Sequence, residues 1–141
     1  MSVDEYKNNI HRLFEAINQH NLDVYDELYQ DNCVFHGTPP MPDSVGLEPQ
    51  KEYMKAFFAA YPDAHFTMEE ILISGDSIAT RWRYEATHTG ETPARRIPPT
   101  GKKVVVTACS VNHVKDGKIT DEWIYTDQSA LLQQLGVLPT V

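Results

Sequence analysis

The sequence predicts an α+β fold, and three observations carry that reading. The chain opens with apolar residues at helical spacing. From His65 the spacing drops to two and stays there across long β-branched and aromatic segments joined by glycine turns, until a short apolar helix closes the chain. With 141 residues and no shift in composition, the chain suits one domain, residues 1–141, large enough for a real core.

The first helix is announced by Ser2 and Glu5, a capping-box pair, and by Val3, Tyr6, Ile10, Leu13, Phe14 and Ile17, which recur to about Asn18. Asn21 is placed to cap a second short helix with Asp23 in its first turn and Leu22, Tyr25, Leu28 and Tyr29 facing inward. Asn32 to Thr38 reads as a strand ending at Pro39-Pro40; Val34 and His36 share one of its faces, and if that face is concave His36 looks into a cavity. Pro49 is placed as the first residue of a third helix, whose apolar side holds Tyr53, Met54, Phe57, Phe58 and Tyr61. Pro62-Asp63 ends it.

His65–Ser74 and Ser77–Thr89 then form a hairpin across Gly75. In its second strand Ala79, Arg81, Arg83, Glu85 and Thr87 share one face, and Ile78, Thr80, Trp82, Tyr84, Ala86 and His88 share the other. Alternation alone puts the arginine face in water. Thr92 to Pro99 is a polar connection, Val104 to Val114 a long strand, and Asp116-Gly117 suits a two-residue turn with two positive φ angles. From Ile119 the last strand sets Asp121, Trp123, Tyr125 and Asp127 on one face against Glu122, Ile124 and Thr126 on the other. Ala130, Leu131, Leu132 and Leu135, stopped by Gly136, form the closing helix, and Asp127 stands at its corner with the strand. There it is either a helix cap or a carboxylate at the rim of an aromatic pocket, partly desolvated and able to move a carbon-bound proton.

Composition excludes several classes of function. A net charge of −8 and no basic stripe argue against nucleic acid and membrane surfaces as partners. The chain has no apolar run of membrane-spanning length and no basic-then-apolar leader, so a cytoplasmic location is expected. Cys33 and Cys109 form no CxxC and are expected to be buried thiols. No glycine-rich phosphate loop or HExxH occurs, and His36, His88, His113 and Asp127 show no metal-ligand spacing; no metal is expected.

Several stretches resemble one family. EW-xxx-D followed by LLQQLG, IATRW and THTGE within Ile78–Glu91, the PPTGK of Pro98–Lys102, and the Gly46–Asp63 helix with its closing Pro-Asp are similar to the SnoaL-like polyketide (ester) cyclases of the NTF2-like superfamily. The polar Thr92–Pro99 connection departs from that pattern. The resemblance implies a cone-shaped fold, a curved antiparallel sheet wrapped around N-terminal helices. It implies cofactor-free acid–base chemistry, an intramolecular aldol-type ring closure on a small hydrophobic carbonyl or ester compound, with Asp127 as base. Trp123 and Asp127 are then expected on the concave face, Arg81 points inward, and Arg81, His36 or His88 holds the developing enolate oxygen beside Trp123 and Tyr125. A homodimer through the opposite sheet face is expected. Two other readings stand beside this one: a noncatalytic small-molecule-binding domain, and an isomerase or an epoxide hydrolase in which Asp121 or Asp127 works with Arg81.

Overall fold

The computed structural model describes residues 1–139. The elements run α1 Val3–Asn18, α2 Val24–Leu28, β1 Tyr29–His36, β2 Ser44–Val45, α3 Leu47–Ala60, β3 His65–Ser74, β4 Ser77–Thr87, β5 Lys103–Lys115, β6 Lys118–Thr126 and α4 Gln128–Gln134. The six strands form one curved, unclosed sheet in the order β2-β1-β6-β5-β4-β3. Strands β3 to β6 make the expected antiparallel meander. The antiparallel expectation fails at one place, because β1 pairs parallel with β6. These two are joined only through the whole intervening chain, so no hairpin dictates their direction.

The local signals explain most of the elements. Ser2 Oγ accepts from Glu5 N at 3.2 Å while Ser2 N reaches back to the Glu5 carboxylate, so the capping box forms. Asp116 and Gly117 take φ angles of 52° and 79°, the pair of positive values the tight turn requires. Helix α3 starts at Leu47 with Gly46 as its cap, two residues before the Pro49 start that the sequence suggested. A φ of 94° lets Gly46 turn the chain there, and proline is still tolerated inside a first turn.

Helices α1, α2 and α3 cover the concave face of the sheet, where Ile10, Leu13, Phe57, Phe58, Trp82, Tyr84, Val104 and Val106 are buried together. Asn18 fastens the end of α1 to edge strand β3: its Nδ2 donates to Phe66 O at 2.9 Å and its Oδ1 accepts from Phe66 N at 2.7 Å. That clamp holds Phe14 and Ile17 over the sheet. Among the described residues no helix is long and apolar enough to cross a membrane. Of the two cysteines only Cys33 is buried; Cys109 lies exposed on the outer face.

Candidate functional site

Between the three helices and the concave face lies a cavity of about 90 Å³. Ile10, Leu13, Phe14, Met54, Phe66 and Trp82 make most of it apolar. Its polar groups are Tyr25, Gln50, Tyr29 and Thr80 from α2, α3, β1 and β4, and Ser110, Asn112 and Glu122 from β5 and β6, where the buried phase of the alternation changes character. Along β5 the inward positions run Val104, Val106, Ala108, Ser110, Asn112, and directly opposite Asn112 on β6 stands Glu122.

Glu122 is the one carboxylate among the described residues that lines the cavity. Its Oε1 accepts from Tyr29 Oη at 2.6 Å and from Asn112 Nδ2 at 2.9 Å, while no protein donor among the described residues reaches Oε2. Burial pushes its pKa up, and the two hydrogen bonds act the other way. Tyr29 is raised as well, first by burial and then by the Glu122 charge, so the proton of that pair stays on the phenol. Around them Tyr25 accepts from Gln50 Nε2 at 3.2 Å, and Ser110 Oγ accepts from Trp82 Nε1 at 2.8 Å. A carboxylate with one constrained and one free oxygen, in an apolar chamber with hydroxyl donors nearby, is equipped to take a proton from carbon and return it.

The residues singled out from the sequence lie elsewhere. Asp127 is exposed and caps α4, its Oδ1 accepting from Ala130 N at 3.0 Å, so it does not stand at the cavity. Trp123 and Tyr125 are on the outer face with Asp121, which corrects the expected concave placement. The cause is a register shift between His113 and Val114 of β5, which leaves Thr120 as an extra residue on β6. Ile119 and Glu122 both face the core in consequence, and every later residue is on the face opposite to the one counted from Ile119. His36 is outside too, because Cys33 and Phe35 take the core side of β1. It stacks on Trp123 with ring centroids 4.2 Å apart and bridges Asp121, at 2.9 Å, to Asp43, at 3.2 Å. The His36 contact is the main reason the Asp121 carboxyl is held below its usual range.

Arg81 does not point inward; half exposed on the outer face, it pairs with Glu69 at 3.5 Å and Glu70 at 3.3 Å. Simple alternation was the better guide there. His88 is buried on the core side but does not line the cavity. Its Nδ1 accepts from Thr100 N at 3.2 Å, which ties the THTGE and PPTGK stretches together. Thr89 N and Gly90 N both donate to Ala60 O at the end of α3. Gly90 passes so near that a Cβ would lie 2.3 Å from Ala59 O. These stretches, which carried much of the family resemblance, are therefore loop fastenings.

Comparison with known proteins agrees with this architecture. The profile of the SnoaL-like polyketide cyclases matches residues 8–135. The chain belongs to the SnoaL-like polyketide cyclase family. Among solved structures, this SnoaL-like chain is similar to IdmH of Streptomyces antibioticus, a candidate polyketide cyclase, at 30% identity and a TM-score of 0.78 over 93% of this chain and 98% of that one. It is similar to AclR of Streptomyces galilaeus, a candidate hydroxylase, at 26% identity and a TM-score of 0.86 over 99% and 90%. TsrD of Streptomyces laurentii, at 19% identity, shares the fold with a TM-score of 0.86 over 98% and 99%. No protein of curated function matches the sequence. The SnoaL-like fold thus has its sheet, cover helices and cavity in place, and the sequence signal for the cavity's polar wall is the entry of Ser110 and Asn112 into a run of buried valines.

Proposed function

We propose that this SnoaL-like protein is an enzyme of cofactor-free acid–base chemistry whose base is Glu122 rather than Asp127. One observation carries the reading: Glu122 is the buried carboxylate facing an apolar cavity, with Oε1 fixed by Tyr29 and Asn112 and Oε2 without a protein donor among the described residues. A proton flanked by two carbonyl groups is acidic enough for a carboxylate whose pKa is raised by burial. Glu122 Oε2 takes that proton, and the C–H electron pair becomes an enolate. The nucleophilic carbon then adds to a third carbonyl of the same molecule, one that does not flank it, closing a ring, and the new alkoxide recovers the proton from Glu122.

The cavity is smaller than the roughly 300–1,000 Å³ of pockets for drug-sized ligands. We therefore assign it a small β-dicarbonyl compound that carries a third, more distant carbonyl, and a multi-ring substrate requires α1, with Leu13 and Phe14, to move outward. The test is hydrogen–deuterium exchange of ethyl 2-methylacetoacetate, which has one acidic C–H, followed by NMR. Wild-type protein is expected to accelerate exchange, and Glu122→Gln to lose on the order of 10²-fold or more while still folded. Equal acceleration by both proteins overturns the reading.

The likeness to AclR favours a second reading, hydroxylation, in which the same carbanion adds to dioxygen and takes a proton to give a hydroperoxide, which an external two-electron reductant such as a thiol converts to the alcohol and water. Label from ¹⁸O₂ in the product separates it from ring closure. For the assembly we propose a homodimer through the outer sheet face, supported by exposed Leu72, Val105 and Tyr125 on that side.

A further inference from the structure

The hydroxyl of Tyr25 is a cavity group that, among the described residues, makes no hydrogen bond to Glu122. Tyr25 is buried on α2 and lines the cavity together with Gln50 of α3. Gln50 Nε2 donates to the Tyr25 oxygen at 3.2 Å. An amide N–H on one lone pair turns the phenol proton away from Gln50, and among the described residues that proton has no protein acceptor. The Tyr25 ring lies 4.9 Å from the ring of Tyr29, whose own hydroxyl is bound to Glu122, so the two groups border the cavity from neighbouring positions.

We propose that Tyr25 is a second catalytic residue. Its hydroxyl donates a hydrogen bond to the carbonyl oxygen that becomes negative as Glu122 removes the carbon-bound proton, and Gln50 is the positioning residue that aims it. The proposal rests on the reading of Glu122 as base. Balance is simple: the proton goes from carbon to Glu122 Oε2, the electron pair goes from the C–H bond to the carbonyl oxygen, and Tyr25 keeps its own proton. Burial and the Glu122 charge both raise the Tyr25 pKa, so the phenol stays a donor throughout. Among the described residues the Ser110 hydroxyl proton also has no protein acceptor, but a phenol is more acidic than an alcohol and gives the stronger hydrogen bond to an enolate.

The experiment measures deuterium exchange of ethyl 2-methylacetoacetate by wild type, Tyr25→Phe, Gln50→Glu, Ser110→Ala and Glu122→Gln. Tyr25→Phe keeps the ring against Tyr29 and is expected to lower kcat about 10²-fold with KM nearly unchanged, the usual effect of removing one oxyanion donor. Gln50→Glu presents an acceptor in place of a donor, so the Tyr25 proton turns toward it; a comparable loss relative to wild type at neutral pH is expected. Because Glu122 itself is protonated as pH falls, the recovery is read as the ratio of variant to wild type at each pH, which is expected to rise toward one as the introduced carboxyl is protonated. A purely structural role would not give that recovery. Ser110→Ala is expected to lose less than Tyr25→Phe, and the opposite order overturns the assignment. Full kcat in Tyr25→Phe, with kcat lost in Glu122→Gln, overturns the role of Tyr25 and leaves the base intact. Undiminished exchange in Glu122→Gln overturns both. If Tyr25→Phe melts below the assay temperature, Gln50→Glu decides, and full kcat in that variant at neutral pH overturns the proposal.

Discussion

Glu122 sits in the folded protein at an energetic disadvantage when ionised, and that gives it a thermodynamic signature. Its pKa is raised above the ordinary 4.5, so its favourable contribution is fully present below about pH 4.5 and is lost as pH rises through the folded value. Replacing it with glutamine removes the charge and keeps an acceptor for Tyr29 and Asn112. The melting temperature of Glu122→Gln, relative to wild type, is therefore expected to climb between pH 4 and pH 8. Parallel melting curves across that range would contradict a desolvated carboxylate. His88 has the opposite sign. Burial lowers its pKa below the ordinary 6.5, with the carbonyls of Gly90 and Ile97 acting the other way, so its contribution is present above pH 6.5 and lost as pH falls through the folded value. A His88→Gln variant, free of that titration, is expected to lose less stability than wild type between pH 6.5 and pH 4, checked by thermal melts.

At the scale of elements, the helices, the hairpin turns and the strands β3 to β5 were legible because caps, turn residues and alternation act locally. The face of β6 was not. One extra residue at Thr120 reverses the side on which Glu122 and Trp123 stand, and nothing in DGKITDEW announces it, since Ile119 and Trp123 are equally good core residues by composition. Position 127 was legible in place and ambiguous in role. The observed bond to Ala130 N makes it a cap, and asparagine caps as well as aspartate. Asp127→Asn is thus expected to leave melting nearly unchanged, and Asp127→Ala to cost about 1 kcal/mol, measured by denaturant titration. A loss with asparagine as large as with alanine would show that the charge, not the cap geometry, matters.

On the scale of the whole molecule, one face of the sheet is covered by helices around a cavity, and the other is open with Leu72 61% and Tyr125 53% exposed. The proposed homodimer covers that open face, and light scattering at micromolar concentration is expected to give twice the chain mass, falling to one chain in a Leu72→Asp, Tyr125→Asp double variant. A single-chain mass for wild type would remove the dimer. The cavity's residues come from α1, α2, α3 and all the long strands, which is why the sequence showed the family and the fold while hiding the wall on which Glu122, Asn112 and Tyr29 meet. The most direct test of the account compares Glu122→Gln with Asp127→Asn in one deuterium-exchange assay at matched folded concentration. Exchange is expected to fall on the order of 10²-fold or more in Glu122→Gln and to stay within about twofold of wild type in Asp127→Asn; the reverse order would contradict Glu122 as the base.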